Sequence, residues 1–209
     1  SSRWGMTVDM RAQALRDRGY LVFKLDNRGS ARRGLAFEGA IKHNMGDLEV
    51  KDQSEGVRYL VELGLTDPKR VGIYGGSYGG YMSAMALVRA PNTFKVGIAG
   101  APVTHWDGYD THYTERYMGN PHTHAADYEA TSLVAHAHLL ERPLLLIHGL
   151  ADDNVLASHT LQFSTALLHH GKVHELLALS GVTHMTPQEV VAENLLLHQL
   201  QFLQRALAK

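Results

Sequence analysis

Three side chains in this sequence could together cut an acyl bond: Ser77, Asp152 and His184. A serine hydroxyl is a weak nucleophile until a base takes its proton, and the base needs an acid to orient it. Ser77 lies in Gly75-Gly76-Ser77-Tyr78-Gly79-Gly80, between an apolar run, Val71 to Tyr74, and the helix-like stretch Tyr81 to Arg89. A run read as strand, then Gly-x-Ser-x-Gly, then helix puts the serine on a turn too sharp for side chains at its neighbours. The Tyr78 N–H, at a helix start, then points to where an oxyanion would form. Asp152 follows a later apolar run, 143–148, and His184 follows another, 173–179. The bland alternative is a glycine-rich turn with a bystander serine. Asp153 is an adjacent rival to Asp152, and from position alone either is also a turn residue.

His184 is one of 14 histidines. It is singled out because it lies past the last strand and before the last helix. His148 ends the fourth apolar run, a position that reads as structural. The pairs His122 with His124, His136 with His138, and His169 with His170 have no accompanying carboxylate or thiolate pattern, so no metal is expected, and no cofactor. Trp106, Tyr109, Tyr113 and Tyr117 recur at helical spacing and are expected on one face of a single helix. They serve either as a core stripe or, because they follow the third strand, as the wall of an apolar pocket; Glu115 and Arg116 among them favour the pocket.

These residues need elements to hold them. Strands are expected at 20–25, 71–75, 95–101, 143–148 and 173–179. Helices are expected over 4–18, 47–63, 81–89 and 158–170, with 32–42 irregular. The last helix should open on a capping box, with Thr186 as cap, Pro187 in the first helical position and Glu189 after it. Leu195, Leu196, Leu200, Leu203 and Leu207 give it a buried stripe. Alternation of strand and helix, with near-continuous apolar strands, predicts an α/β fold: a mostly parallel sheet with helices on both faces.

The 209 residues fill one such domain, and 44% hydrophobic against 20% charged residues can bury a core. A formal net charge of −1 with scattered lysines and arginines offers nothing to nucleic acid. No apolar run reaches the roughly 18 residues a membrane span needs. The absence of cysteine removes disulfides and thiolate chemistry but fits a reducing or an oxidising compartment. Ser1-Ser2-Arg3-Trp4 reads as the interior of a longer chain.

With these residues located, the chain resembles the α/β-hydrolase catalytic domain of the prolyl oligopeptidase family, in its dipeptidyl peptidase IV branch. The resemblance runs through nearly the whole chain. It is carried by Asp26-Asn27-Arg28-Gly29-Ser30, Gly76-Ser77-Tyr78-Gly79-Gly80-Tyr81-Met82, Ala101-Pro102-Val103, Tyr113-Thr114-Glu115-Arg116-Tyr117-Met118-Gly119 and His148-Gly149-Leu150-Ala151-Asp152-Asp153-Asn154-Val155. The chain departs from the pattern at Gly76, where this branch often has tryptophan. The resemblance implies a triad of Ser77, Asp152 and His184, so Asp152 rather than Asp153. It implies a proline-accepting pocket of Tyr78, Tyr81, Val103, Trp106, Tyr109, Tyr113 and Val155, with Asn154 bonded to a substrate carbonyl. The implied substrate is a peptide, losing an amino-terminal dipeptide after proline or, less readily, alanine. Family members are often dimers through this domain, so a homodimer is compatible.

The resemblance also implies that residues 1–209 are a fragment of a longer enzyme. Family members carry a β-propeller that holds the substrate's amino terminus, and a Tyr-x-Gly-Pro segment that supplies a second oxyanion donor. Neither is in these residues, so the fragment alone should be weak or inactive. The first hydrolase strands would be absent as well. One of them would lie between 20–25 and 71–75, leaving a gap that those two strands close by pairing, that another chain fills, or that persists; persistence is expected. Two competing readings remain: an acylaminoacyl-peptidase or other serine acyl hydrolase, and a hydrolase-fold module that only binds.

Overall fold

The computed structural model describes residues 9–208. Its elements in chain order are α1 (Met10–Arg16), α2 (Leu35–Glu38), α3 (Leu48–Glu62), β1 (Gly72–Gly76), α4 (Tyr78–Arg89), β2 (Val96–Gly100), α5 (Thr111–Met118), α6 (Ala125–Thr131), β3 (Leu144–Gly149), α7 (Ser158–His169), β4 (Glu175–Leu179) and α8 (Glu189–Leu207). The four strands form one sheet in the order β1-β2-β3-β4, and each neighbouring pair is parallel. All four carboxyl ends therefore share one edge, and Ser77, Asp152 and His184 all follow strands ending there.

Period-two alternation divides the core between the two faces. On β3, Leu144 and Leu146 face one cluster with Met85, Leu87, Phe163 and Leu167. Leu145 and Ile147 face the other, with Leu15, Leu200, Phe202, Leu203 and Leu207. Burying each such side chain contributes about 1.5–3 kcal/mol. The stripe expected on α8 forms: Leu200, Leu203 and Leu207 are buried, and Leu195 and Leu196 pack beside them. The two inner strands are closed, since β3 is buried at every position, but Glu175, Leu176 and Ala178 of β4 are exposed. Full cover on both faces thus holds for β2 and β3 and not for the edges.

Several expectations need correction. Of the helix expected over 4–18, residues 4–8 lie outside the described residues; the rest starts at Met10, where the Asp9 carboxylate accepts the Ala12 N–H at 3.0 Å. The 32–42 stretch is not irregular, because Leu35–Glu38 is helical and Gly39–Ile41 is a 3₁₀ turn. The capping box does not form. The last helix starts at Glu189, its cap is Gln188, and no side chain caps it. The aromatic stripe is not on a single helix: Trp106–Gly108 is a 3₁₀ turn, Tyr109 is extended, and α5 begins at Thr111 behind the Asp110 cap. Asp110 accepts the Tyr113 N–H at 2.7 Å, and this cap restarts the chain as a new helix.

The largest correction concerns 20–25, which is not a strand. A strand needs a partner, and among the described residues β1 pairs only with β2. Residues 20–25 do not pair directly with β1. Between them lies a cavity of about 780 Å³, lined by Tyr20, Val22, Ile73 and Tyr74, with Val57 and Leu203 at its two faces. The gap expected at this place is present. The segment that follows is tied down from the other side. Arg28 makes a bidentate pair with Asp52 of α3 at 2.6–3.1 Å, and Gln53 donates to the Leu25 carbonyl at 3.0 Å.

Candidate active site

Ser77 follows β1 and caps α4 with φ 57° and ψ −119°, a left-handed conformation that side chains rarely adopt. Holding it costs on the order of 1–3 kcal/mol. The surroundings enforce it: the Ser77 N–H donates to the Gly100 carbonyl at 2.8 Å, and the Tyr81 N–H donates to the Ser77 carbonyl at 3.0 Å. The steric demand for glycine falls on Gly75 and Gly80 rather than on the serine's nearest neighbours. A Cβ on Gly75 would lie 2.6 Å from the Gly79 carbonyl, and one on Gly80 would lie 2.4 Å from the Gly100 oxygen. At Gly76 the first such contact is 4.0 Å away, so a side chain fits there. The N–H groups of Tyr78 and Gly79, in the first turn of α4, have no intrahelical partner and no side-chain cap.

Asp152 is buried beyond the end of β3. Its Oδ1 accepts the N–H groups of Asn154 and Val155 at 3.0 and 2.9 Å. Its Oδ2 accepts His184 Nδ1–H at 2.7 Å. A carboxylate only accepts, so Nδ1 carries the proton and Nε2 keeps its lone pair, the tautomer a general base requires. Asp153 is exposed, and its side chain makes no hydrogen bond among the described residues. Ser77 Oγ and His184 are not hydrogen-bonded in this structure; such contacts often tighten only when substrate is bound.

The aromatic residues gather although no single helix carries them. Trp106 lies 5.6 Å from Tyr78, 5.0 Å from Tyr81, 6.1 Å from Tyr109 and 6.2 Å from Tyr113 between ring centroids. Tyr81, Val103, Trp106 and Val155 have almost no exposed surface. Tyr78, Tyr109, Tyr113 and Asn154 retain some. The Tyr109 hydroxyl donates to Asn154 Oδ1 at 2.9 Å, joining the aromatic group to the turn that holds Asp152. Burial pushes the Tyr113 hydroxyl up to about 12 and the Tyr78 hydroxyl well above its ordinary value, so both stay neutral.

Of three supporting residues, sequence reasoning read His148 as structural, which it is, and missed His159 and Glu49. His148 is buried, with Nε2 2.8 Å from the Val155 carbonyl and Nδ1 2.7 Å from Thr160 Oγ1. His159 accepts the Thr104 N–H at Nδ1, 3.2 Å, and donates from Nε2 to the Gly108 carbonyl, 3.1 Å. Glu49 is a buried carboxylate beside Tyr78. His148 adjoins the Asp152 motif, a local signal; His159 and Glu49 meet their partners from distant parts of the chain. One histidine group also differs from the pairs weighed in the sequence: His43, His124 and Asp127 have potential ligand atoms within 4.8 Å of one another. The His43 and His124 rings stack at 4.2 Å and 14°, which confines their in-plane lone pairs to two nearly parallel, separated planes. Convergence on one ion therefore requires a ring to rotate.

A family model described as the prolyl oligopeptidase family matches residues 6–209. The chain belongs to the prolyl oligopeptidase family. Among curated relatives it is 44% identical over 201 residues to dipeptidyl peptidase 8 of Mus musculus, covering 94% of this chain and 22% of that protein. It is 36% identical over 188 residues to dipeptidyl peptidase 4 of Bos taurus, covering 88% of this chain and 25% of that protein. A solved Bacteroides ovatus protein described as a dipeptidyl aminopeptidase IV superposes with a TM-score of 0.91 at 34% identity, covering 94% of this chain and 28% of the other. The family's hydrolase fold is thus that of this chain, and it is a peptidase-family domain. It spans about a quarter of the length of these relatives.

Proposed function

We propose that this domain is the catalytic part of a serine peptidase that removes dipeptides from free peptide amino termini after proline or, less readily, alanine. The observation that carries the reading is the Asp152–His184 bond of 2.7 Å, at the same sheet edge as the left-handed Ser77 turn. Ser77 Oγ attacks the scissile carbonyl carbon while its proton passes to His184 Nε2. The carbonyl electrons move to oxygen, where the Tyr78 N–H stabilises them. The intermediate collapses, the C–N bond breaks, and the leaving amine takes the proton from His184. Water then repeats the sequence against the acyl-serine, releasing the dipeptide.

The proline ring is received against Tyr78, Tyr109 and Tyr113, which the buried Tyr81, Val103, Trp106 and Val155 back from behind, and Asn154 bonds the carbonyl one residue upstream. The clamp for the substrate ammonium and the second oxyanion donor come from segments outside residues 1–209. The names of the relatives support the dipeptidyl-peptidase reading over a general esterase. The test compares Gly-Pro-p-nitroanilide with p-nitrophenyl acetate, using the protein at its full natural length. Efficient cleavage of the peptide substrate is expected. Ester hydrolysis alone would favour another acyl hydrolase. Failure of a fluorophosphonate to label Ser77 would favour a binding module.

A further inference from the structure

The turn before α3 holds both tyrosines of the elbow helix. Tyr81 donates its hydroxyl to the Met45 carbonyl at 2.9 Å and to the Thr131 carbonyl at 3.0 Å. Tyr78 donates its hydroxyl to Glu49 Oε1 at 2.5 Å. Both oxygens of that carboxylate accept the Gly46 N–H, at 3.0 and 2.9 Å. Gly46 has φ +77°, and a Cβ there would lie 2.5 Å from the Tyr81 hydroxyl. Five residues, 45–49, thus grip the start of α4 at two points.

Glu49 is 1% exposed. Among the described residues no lysine or arginine forms an ion pair with it; the nearby Arg89 is bonded to the Ala130 carbonyl and lies 3.9 Å from Asp47. Burying a carboxylate without a paired cation is costly, and an amide or hydroxyl acceptor would satisfy a tyrosine hydroxyl for less. A carboxylate adds a shorter, stronger bond. Here the same group is bonded to the backbone at Gly46, so the Tyr78 ring is referred directly to the α3 terminus. The other end of Tyr78 is its N–H, one residue from the left-handed Ser77.

We propose that Glu49 is a positioning residue: its carboxylate fixes the Tyr78 side chain and thereby aims the Tyr78 N–H at the developing oxyanion. This rests on the role given above to that N–H. An oxyanion donor is worth about 10²–10³ in turnover, and a displacement of about 1 Å at a reacting centre costs on the order of 10²-fold. Removing the clamp should therefore lower kcat more than it raises KM.

The experiment uses the protein at its full natural length, with active sites titrated to completion by a fluorophosphonate so that rates refer to folded sites. Glu49→Ala should lose on the order of tenfold to 10²-fold in kcat, on both Gly-Pro-p-nitroanilide and p-nitrophenyl acetate, with KM within about threefold. Glu49→Gln, which keeps the shape and one acceptor, should fall between Glu49→Ala and wild type and serves where Glu49→Ala does not fold. Tyr78→Phe should cost little further in the Glu49→Ala background, because its partner is already lost. An unchanged kcat per titrated site, with only the melting temperature lowered, overturns the proposal. A raised KM with kcat retained also overturns it. If wild type cleaves the ester but not the peptide, the dipeptidyl reading fails alone and the Glu49 result is read on the ester. If wild type cleaves neither, both fall.

Discussion

Oδ2 of Asp152 faces two histidines at once, His184 at 2.7 Å and His148 at 3.4 Å. His148 Nε2–H points between that oxygen and the Val155 carbonyl, while Nδ1 accepts from Thr160. Both ring nitrogens are engaged, and the 152–155 turn is gripped from both sides. Replacing His148 by leucine leaves the Val155 carbonyl and the Thr160 hydroxyl without partners, at about 1–3 kcal/mol each. His148→Leu should therefore lower the urea midpoint and also slow turnover. A variant with a lowered midpoint and a fully retained kcat would show that His148 supports the loop and nothing else.

The two adjacent aspartates offer a sharper comparison. Asp152→Asn replaces an acceptor with a donor facing His184 Nδ1 and selects the wrong imidazole tautomer. In a triad of this kind that costs about 10⁴ in kcat. Asp153 is exposed with no bonded side chain among the described residues, so Asp153→Asn should stay within about ±0.5 kcal/mol, roughly twofold. Steady-state rates on Gly-Pro-p-nitroanilide check both. Comparable losses in the two variants would refute the assignment.

Much of this site is written locally in the chain. Gly75 to Gly80 specify a strand, a left-handed turn and a helix partly through near neighbours, since a Cβ on Gly75 would meet Gly79, whereas the demand at Gly80 comes from Gly100 on the neighbouring strand. Asp152 and His184 are placed by their strands. What could not be read depends on partners far away in sequence. Residues 20–25 are apolar enough for a strand, yet strand geometry needs a hydrogen-bonded neighbour, and β1 does not reach them. Trp106 to Tyr117 carries helical spacing, but Asp110 captures the Tyr113 N–H and starts a separate helix. Glu49 looks like any first-turn acid of α3 until Tyr78 arrives from 29 residues away.

His159 makes stability depend on pH. Burial, and then the neighbouring His105, push its imidazole down to about 4 from the ordinary 6.5. Its two bonds, from Thr104 and to Gly108, require the neutral form. The folded state therefore binds fewer protons than the unfolded state between those values. The stabilisation is present in full above pH 6.5 and is lost as the pH falls toward about 4. Glutamine can accept from Thr104 and donate to Gly108 without titrating. His159→Gln should lose about 1–2 kcal/mol less than wild type between pH 7.5 and pH 5, measured by urea denaturation. Parallel losses in the two proteins would locate the acid sensitivity elsewhere.

The last prediction concerns the cavity beside β1. Its volume is about 780 Å³, between apolar residues of α3 and α8. At about 24 cal/mol per Å³, a dry void of that size would cost well over 10 kcal/mol, comparable with the entire stability of a typical domain. Either water or polypeptide must fill it. Water leaves the half-buried Val22, Val57 and Ile73 wetted and the outer edge of β1 unpaired by any strand among the described residues. A polypeptide of residues 1–209 alone should therefore melt with low cooperativity, bind a dye for exposed apolar surface, and turn over Gly-Pro-p-nitroanilide at least 10²-fold more slowly than the full natural length. Calorimetry and size-exclusion chromatography of that polypeptide check this. A monomer with a single cooperative transition and a rate within tenfold of the full-length protein would mean that the four-stranded sheet is self-sufficient.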